Sequence, residues 1–106
     1  MAKYLLEASY TAAGMAGVLK EGGTSRRNAV EKLIQNLGGT LESFDFAFGD
    51  NDIYIVATFP SNVDAAAVAM NVGAAGAATL KTNVLLSPEE IDQATEKTVE
   101  YRAPGK

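Results

Sequence analysis

Two strand-like stretches around a four-residue turn constrain this chain more than any other feature. Residues 40–48 and 53–59 flank Gly49-Asp50-Asn51-Asp52. Because neighbouring side chains of a strand point to opposite faces, a period of two marks a hairpin. A symmetric hairpin pairs Phe48 with Ile53, Phe46 with Ile55 and Phe44 with Ala57 on one face. Ala47/Tyr54, Asp45/Val56 and Ser43/Thr58 then share the other face. A slip of one residue would mix the two sets, and Asp50-Asn51 suits a tight turn with positive φ.

The rest of the chain alternates between the strand period and the helix period. Residues 3–10 read as a strand with Tyr4, Leu6, Ala8 and Tyr10 on one side and Leu5, Glu7 and Ser9 on the other. Thr11 caps a short first helix with Met15, Val18 and Leu19 inward, weakened by Gly14, Gly17 and Gly22-Gly23 at about 1 kcal/mol for each interior glycine. Thr24 or Ser25 restarts a stronger helix, whose Val30, Leu33, Ile34 and Leu37 form an apolar stripe and whose stop is Gly38-Gly39. Pro60 closes the hairpin, and Ser61 with Asp64 forms a capping box for an alanine-rich helix to about residue 75. Residues 78–86 make a fourth strand, with Leu80, Val84 and Leu86 opposite Lys81, Asn83 and Leu85. Ser87-Pro88-Glu89-Glu90 opens a last helix near 88–97, its acids at the positive end of the dipole. The methionines and the Phe44/Phe46/Phe48 stripe read as core. One domain over residues 1–98 is expected, followed by a tail or arm at 99–106.

The order β-α-β-β-α-β plus a C-terminal helix has one simple solution: a ferredoxin-like α+β fold. It has a four-stranded antiparallel sheet, helices on one face and right-handed crossovers. The second face then carries Leu5, Glu7, Ser9, Ser43, Asp45, Ala47, Tyr54, Val56, Thr58, Lys81, Asn83 and Leu85. It is either solvated, as antiparallel sheets allow, or covered by another copy of the chain. A homo-oligomer is the expectation, with a dimer favoured and a trimer open.

Composition narrows the chemistry. The chain has no Cys and no His, so thiolate nucleophiles, histidine bases and the commonest zinc sites are excluded. Nine basic against thirteen acidic residues leave no footprint for nucleic acid. Glu7 interrupts the opening apolar run short of a signal-peptide core, and no stretch approaches the ~18 apolar residues of a membrane span. The expectation is a cytoplasmic protein that needs no metal and no cofactor and contacts neither nucleic acid nor membrane.

Candidate site residues follow from the second face. Between two sheets Glu7, Asp45 and Lys81 must pair, stay hydrated or bind something, because an unpaired buried charge costs several kcal/mol. A small-molecule pocket at that seam, lined by Glu7, Asp45, Tyr54, Thr58 and Lys81, is one reading; an ion pair between Lys81 and an acid is the other. Asp50 and Asp52 resemble part of a calcium loop but fall short of its twelve-residue frame, and turn formation also explains them. Arg26, near a helix start and the glycines at 14, 17, 22 and 23, could meet an anion, although no phosphate-loop spacing is present. Of the four tyrosines, Tyr10, Tyr54 and Tyr101 are the candidate aromatic proton donors. Three functions remain open: a binding module with its ligand at a subunit seam, a cofactor-free isomerase, lyase or oxygenase using Tyr, Asp and Glu, and a structural oligomer.

The chain also resembles the GYD domain family of small bacterial and archaeal proteins. The resemblance is carried by Tyr10-Thr11-Ala12-Ala13-Gly14, by residues 28–33 running into Leu37-Gly38-Gly39, by residues 47–52 and 82–92, and by Tyr101-Arg102-Ala103-Pro104-Gly105. It implies a ferredoxin-like domain of the kind that pairs sheet to sheet, as in dimeric α/β barrels. An enzymatic role is presumed for the family, but the resemblance brings no substrate, cofactor or catalytic residue. The family takes its name from a Gly-Tyr-Asp element, commonly Gly-x-Tyr-Asp. Here Gly49 and Asp52 remain while Asn51 stands at the tyrosine position.

Overall fold

In a computed structural model covering residues 1–106, the elements run β1 (Ala2–Tyr10), α1 (Ala12–Glu21), α2 (Gly23–Asn36), β2 (Thr40–Phe46), β3 (Ile53–Phe59), α3 (Asn62–Ala75), β4 (Ala78–Leu85) and α4 (Pro88–Thr95). The strands form one antiparallel sheet in the order β2-β3-β1-β4. This is the expected α+β, ferredoxin-like arrangement.

The core lies on the helix-covered face. Tyr4, Leu6 and Ala8 of β1 and Ile53, Ile55, Ala57 and Phe59 of β3 are buried against Ile34 of α2 and Ala65 and Val68 of α3. Small residues on α3 let its backbone lie close to the sheet. Tyr4 and Phe59 pack with ring centroids 5.7 Å apart, and the Tyr4 hydroxyl donates to Asn62 Oδ1. Buried phenols need such a partner.

The hairpin departs from the symmetric expectation by two residues. Phe46 pairs with Ile53 and Phe44 with Ile55, and a bulge between Leu41 and Ser43 places Leu41 opposite Ala57. β2 therefore ends at Phe46. Asp52 is the cause. Its N–H donates to Ala8 O at 2.8 Å, its carbonyl accepts from Ala47 N at 2.9 Å, and its Oδ2 accepts from Tyr10 N at 2.8 Å. Fastening Asp52 to β1 and Ala47 widens the loop to residues 47–52, and Phe48 is expelled to full exposure. No non-glycine residue takes positive φ, so the tight turn at Asp50-Asn51 does not form. An even shift preserves the faces, because the side-chain period is two.

Other expectations are corrected at the margins of the core. Leu19 is 83% exposed, and Met1, Met15 and Met70 are exposed rather than buried, because α1 lies toward one end of the sheet and Met70 faces outward from α3. Thr11 caps α1 as expected, accepting from Gly14 N. α2 starts at Gly23 after Gly22 turns the chain with φ 85°, ahead of Thr24 and Ser25. Ser61 makes no side-chain cap bond to the backbone; its hydroxyl donates instead to Asp64 Oδ2 at 3.2 Å. β4 stops at Leu85, and Val84 and Leu86 lie beyond the helical cover and are exposed.

The C-terminal segment stands off the sheet. Every residue of α4 is exposed, and the radius of gyration, 16.9 Å along a 56 Å long axis, exceeds the roughly 13 Å of a compact chain of this length. α4 is held locally: Glu90 N donates to Ser87 Oγ at 3.1 Å and Ser87 N to Glu90 Oε1 at 2.9 Å. No helix is long and apolar enough to cross a membrane.

Candidate functional site

A cleft of about 350 Å³ opens on the helix side between α1, the start of α2 and the end of α3. Ala13, Gly14, Gly17 and Val18 line it from α1, and Val72 and Ala75 line it from α3. Side chains this small cannot fill the gap between the two helices. A Cβ on Gly17 would meet nothing within 4 Å, whereas one on Gly14 would lie 2.0 Å from Ala77 O, where α1 touches the chain entering β4. Beneath the cleft, a smaller void of about 70 Å³ extends toward the core among Ile34, Ile55, Val68 and Leu80. The two share Tyr10, Arg26, Leu33, Val72 and Ala78 as walls.

Polar groups gather where these spaces meet. The Tyr10 hydroxyl is buried and has no hydrogen-bond partner. Burial raises its pKa above 10.0; Arg26 opposes that shift through its charge and the approach of its N–H groups to the phenol oxygen, and Asp52 and Glu21 reinforce it. The phenol is therefore protonated at neutral pH and available as a donor. Arg26 approaches the Tyr10 oxygen without reaching hydrogen-bond geometry, and because a guanidinium only donates, the phenol proton has no acceptor. Arg26 has no acid partner either: the single salt bridge joins Arg27 to Glu31 at 3.5 Å on the outer face of α2. Glu21 completes the charged wall.

The seam candidates occupy the opposite face. Tyr54 lies directly between Glu7 on β1 and Asp45 on β2, and Glu7 lies across from Lys81 on β4. Glu7 Oε2 accepts from Asn83 Nδ2 at 3.3 Å. Thr58 sits four residues along β3, beside Lys3 and Thr40. None of the three principal cavities touches these five residues. Lys81, Glu7, Tyr54 and Asp45 form a row across the sheet, with half-buried Leu5, Val56 and Leu85 around it.

Asp50 is exposed and Asp52 is occupied by the backbone bonds of β1. Asn51 is buried; its Oδ1 accepts from Ser9 Oγ at 3.2 Å and its Nδ2 donates to Tyr54 Oη at 3.4 Å. Asn51 therefore ties the loop to the open face. No group of three or more acidic side chains is arranged to hold a metal ion.

Tyr10, Arg26 and Asp52, singled out separately in the sequence, converge at one end of β1. Sequence reading missed the apolar walls, Val18, Leu33, Val72 and Ala75. The run of small residues at 13–17 was the available signal, but its opposite wall lies some sixty residues away in the chain.

Helical cover on one face of this sheet, with the cleft at one end of its central strand, defines a ferredoxin-like α+β domain with a helix-side cavity. The family model for the GYD domain matches residues 4–95, and the chain belongs to that family. No curated protein and no solved structure matches it.

Proposed function

We propose that this GYD-domain protein is a homo-oligomeric module that binds a small molecule in the cleft between α1, α2 and α3. The observation carrying the binding reading is the Tyr10 hydroxyl, buried without a partner in the wall of a cavity of about 350 Å³. Leaving a buried polar group unsatisfied costs about 1–3 kcal/mol, and a ligand atom at the hydroxyl removes that cost. The volume falls within the range of small-molecule sites.

The oligomeric part rests on the open face and the projecting arm. Leu5, Tyr54, Val56 and Leu85 leave apolar surface uncovered, and α4 extends away from its own sheet. A second copy packed face to face removes this surface from water and gives each arm a body to rest on. A dimeric α/β-barrel arrangement is the simplest closed form. Glu7, Asp45, Tyr54, Thr58 and Lys81 lie in that seam, where Glu7 and Lys81 neutralise each other or a bound group.

Light scattering on the full chain at micromolar concentration should give at least twice the mass of one copy, and Val56→Arg should return it to a monomer. A wild-type monomer would remove the assembly. Binding is tested separately by titrating a panel of small organic compounds, charged and neutral, into ¹⁵N-labelled protein. Some should shift the amides of residues 13–18 and 72–78, and Gly17→Leu, which fills the cleft without touching the core, should abolish those shifts. A panel without effect would end the binding reading. A cofactor-free acid–base activity is the second reading, because the Tyr10 phenol and the Glu21 carboxylate line the same space; the compounds that bind are followed for turnover.

A further inference from the structure

We infer that the cleft takes a monocarboxylic acid with an apolar body, its carboxylate held between the Arg26 guanidinium and the Tyr10 hydroxyl. This rests on the ligand-binding reading above and assigns the chemical class of the ligand.

Two donors stand together with no acceptor in bonding contact, although Glu21 shares the wall. Arg26 is half-buried and lacks a salt-bridge partner, while its sequence neighbour Arg27 has one in Glu31. The Tyr10 hydroxyl beside it is buried, protonated and unpartnered. A guanidinium presents a planar fork of N–H groups that matches a carboxylate with two parallel hydrogen bonds, and the phenol can supply a third. A neutral ligand leaves the arginine charge without a counterion in a partly dehydrated site. An ammonium ligand would face that same charge.

Phosphate fits less well. One guanidinium and one hydroxyl offer few donors for a dianion, and the Glu21 carboxylate stands in the same wall. A single negative charge placed on the Arg26 side tolerates that neighbour better, because attraction and repulsion both fall with distance.

The rest of the space is apolar and sets the body of the acid. From Tyr10 and Arg26 the cleft runs between Gly17, Val18, Val72 and Ala75, and the deeper void continues among core side chains. At roughly 30 Å³ for each water-sized group, a cavity of about 350 Å³ admits about a dozen non-hydrogen atoms. That is the size of an acid built on one ring or on a short alkyl chain.

The test titrates ¹⁵N-labelled full-length protein with phenylacetate, phenylacetamide and inorganic phosphate. Phenylacetate should bind about tenfold or more tightly than its neutral amide, as a charge-assisted pair implies, and phosphate should produce no saturable shift at residues 10–26. Arg26→Gln should bring acid and amide to equal affinity, Tyr10→Phe should weaken the acid several-fold, and Arg102→Gln should change nothing. Equal binding of acid and amide to the wild-type chain, a comparison that needs no variant, would overturn the carboxylate assignment while leaving the cleft a binding site. Preference for phosphate would overturn it as well. If no compound of the broad panel binds, the binding reading fails and this assignment fails with it.

Discussion

Phe59→Ala is expected to lower the unfolding free energy by about 3–5 kcal/mol, the usual cost of deleting a fully buried aromatic ring. Phe59 has no exposed surface and its ring packs on Tyr4; the site is walled by β1 and β3 and cannot collapse without moving a strand. For a domain whose total stability is of order 5–15 kcal/mol, such a loss leaves a substantial unfolded population. Phe48→Ala should change stability by no more than about 0.5 kcal/mol, because that ring is fully exposed. Urea unfolding of both variants checks the pair. Equal losses would mean that Phe48 faces the core, as in the symmetric hairpin, and that the widened loop is wrong.

Gly14→Ala should be the most damaging conservative change on the helices, at about 3 kcal/mol, the upper end of ordinary overpacking. The added methyl would lie 2.0 Å from Ala77 O and 2.9 Å from its carbon. Backbone cannot rotate away as a side-chain tip can. The contact is also fastened, since Thr11 N donates to Ala77 O at 2.9 Å and Thr11 Oγ1 donates to Gly76 O at 3.0 Å, so relief requires α1 to leave its place beside β4. Gly17→Ala, one turn later with open space around it, should instead gain about 0.5–1 kcal/mol from reduced backbone entropy. Thermal unfolding of the two single variants reads out the contrast. Similar effects would show that α1 does not rest on Ala77, and the cleft it walls would lose its geometry.

Strand identity and the division of faces were legible in the sequence because both are local. Tyr4, Leu6 and Ala8, and Ile53, Ile55 and Ala57, announce one face by alternation alone, and Thr11, Gly38 and Ser87-Pro88 mark helix ends through their own backbone preferences. The register of the hairpin was not legible. Pairings that differ by two residues bury the same face, so alternation cannot choose between them; the bonds from Ala8 and Tyr10 to Asp52, more than forty residues apart, make the choice. The exposure of Phe48 follows from that choice and not from its hydrophobicity.

The same division governs the candidate site. Tyr10, Arg26 and Asp52 could each be named as chemistry-bearing residues. That Tyr10 and Arg26 face one cavity was set by the turn at Gly22, which redirects α2 after α1, and by the seating of Gly14 against Ala77. The sequence alone determined which side of each strand is apolar and where most elements begin and end, since those properties depend on neighbours a few residues away. Tertiary structure decided which donors share a space and which of them lack a partner, because a cavity is enclosed by elements remote in the chain and its unsatisfied groups are defined only once every wall is in place.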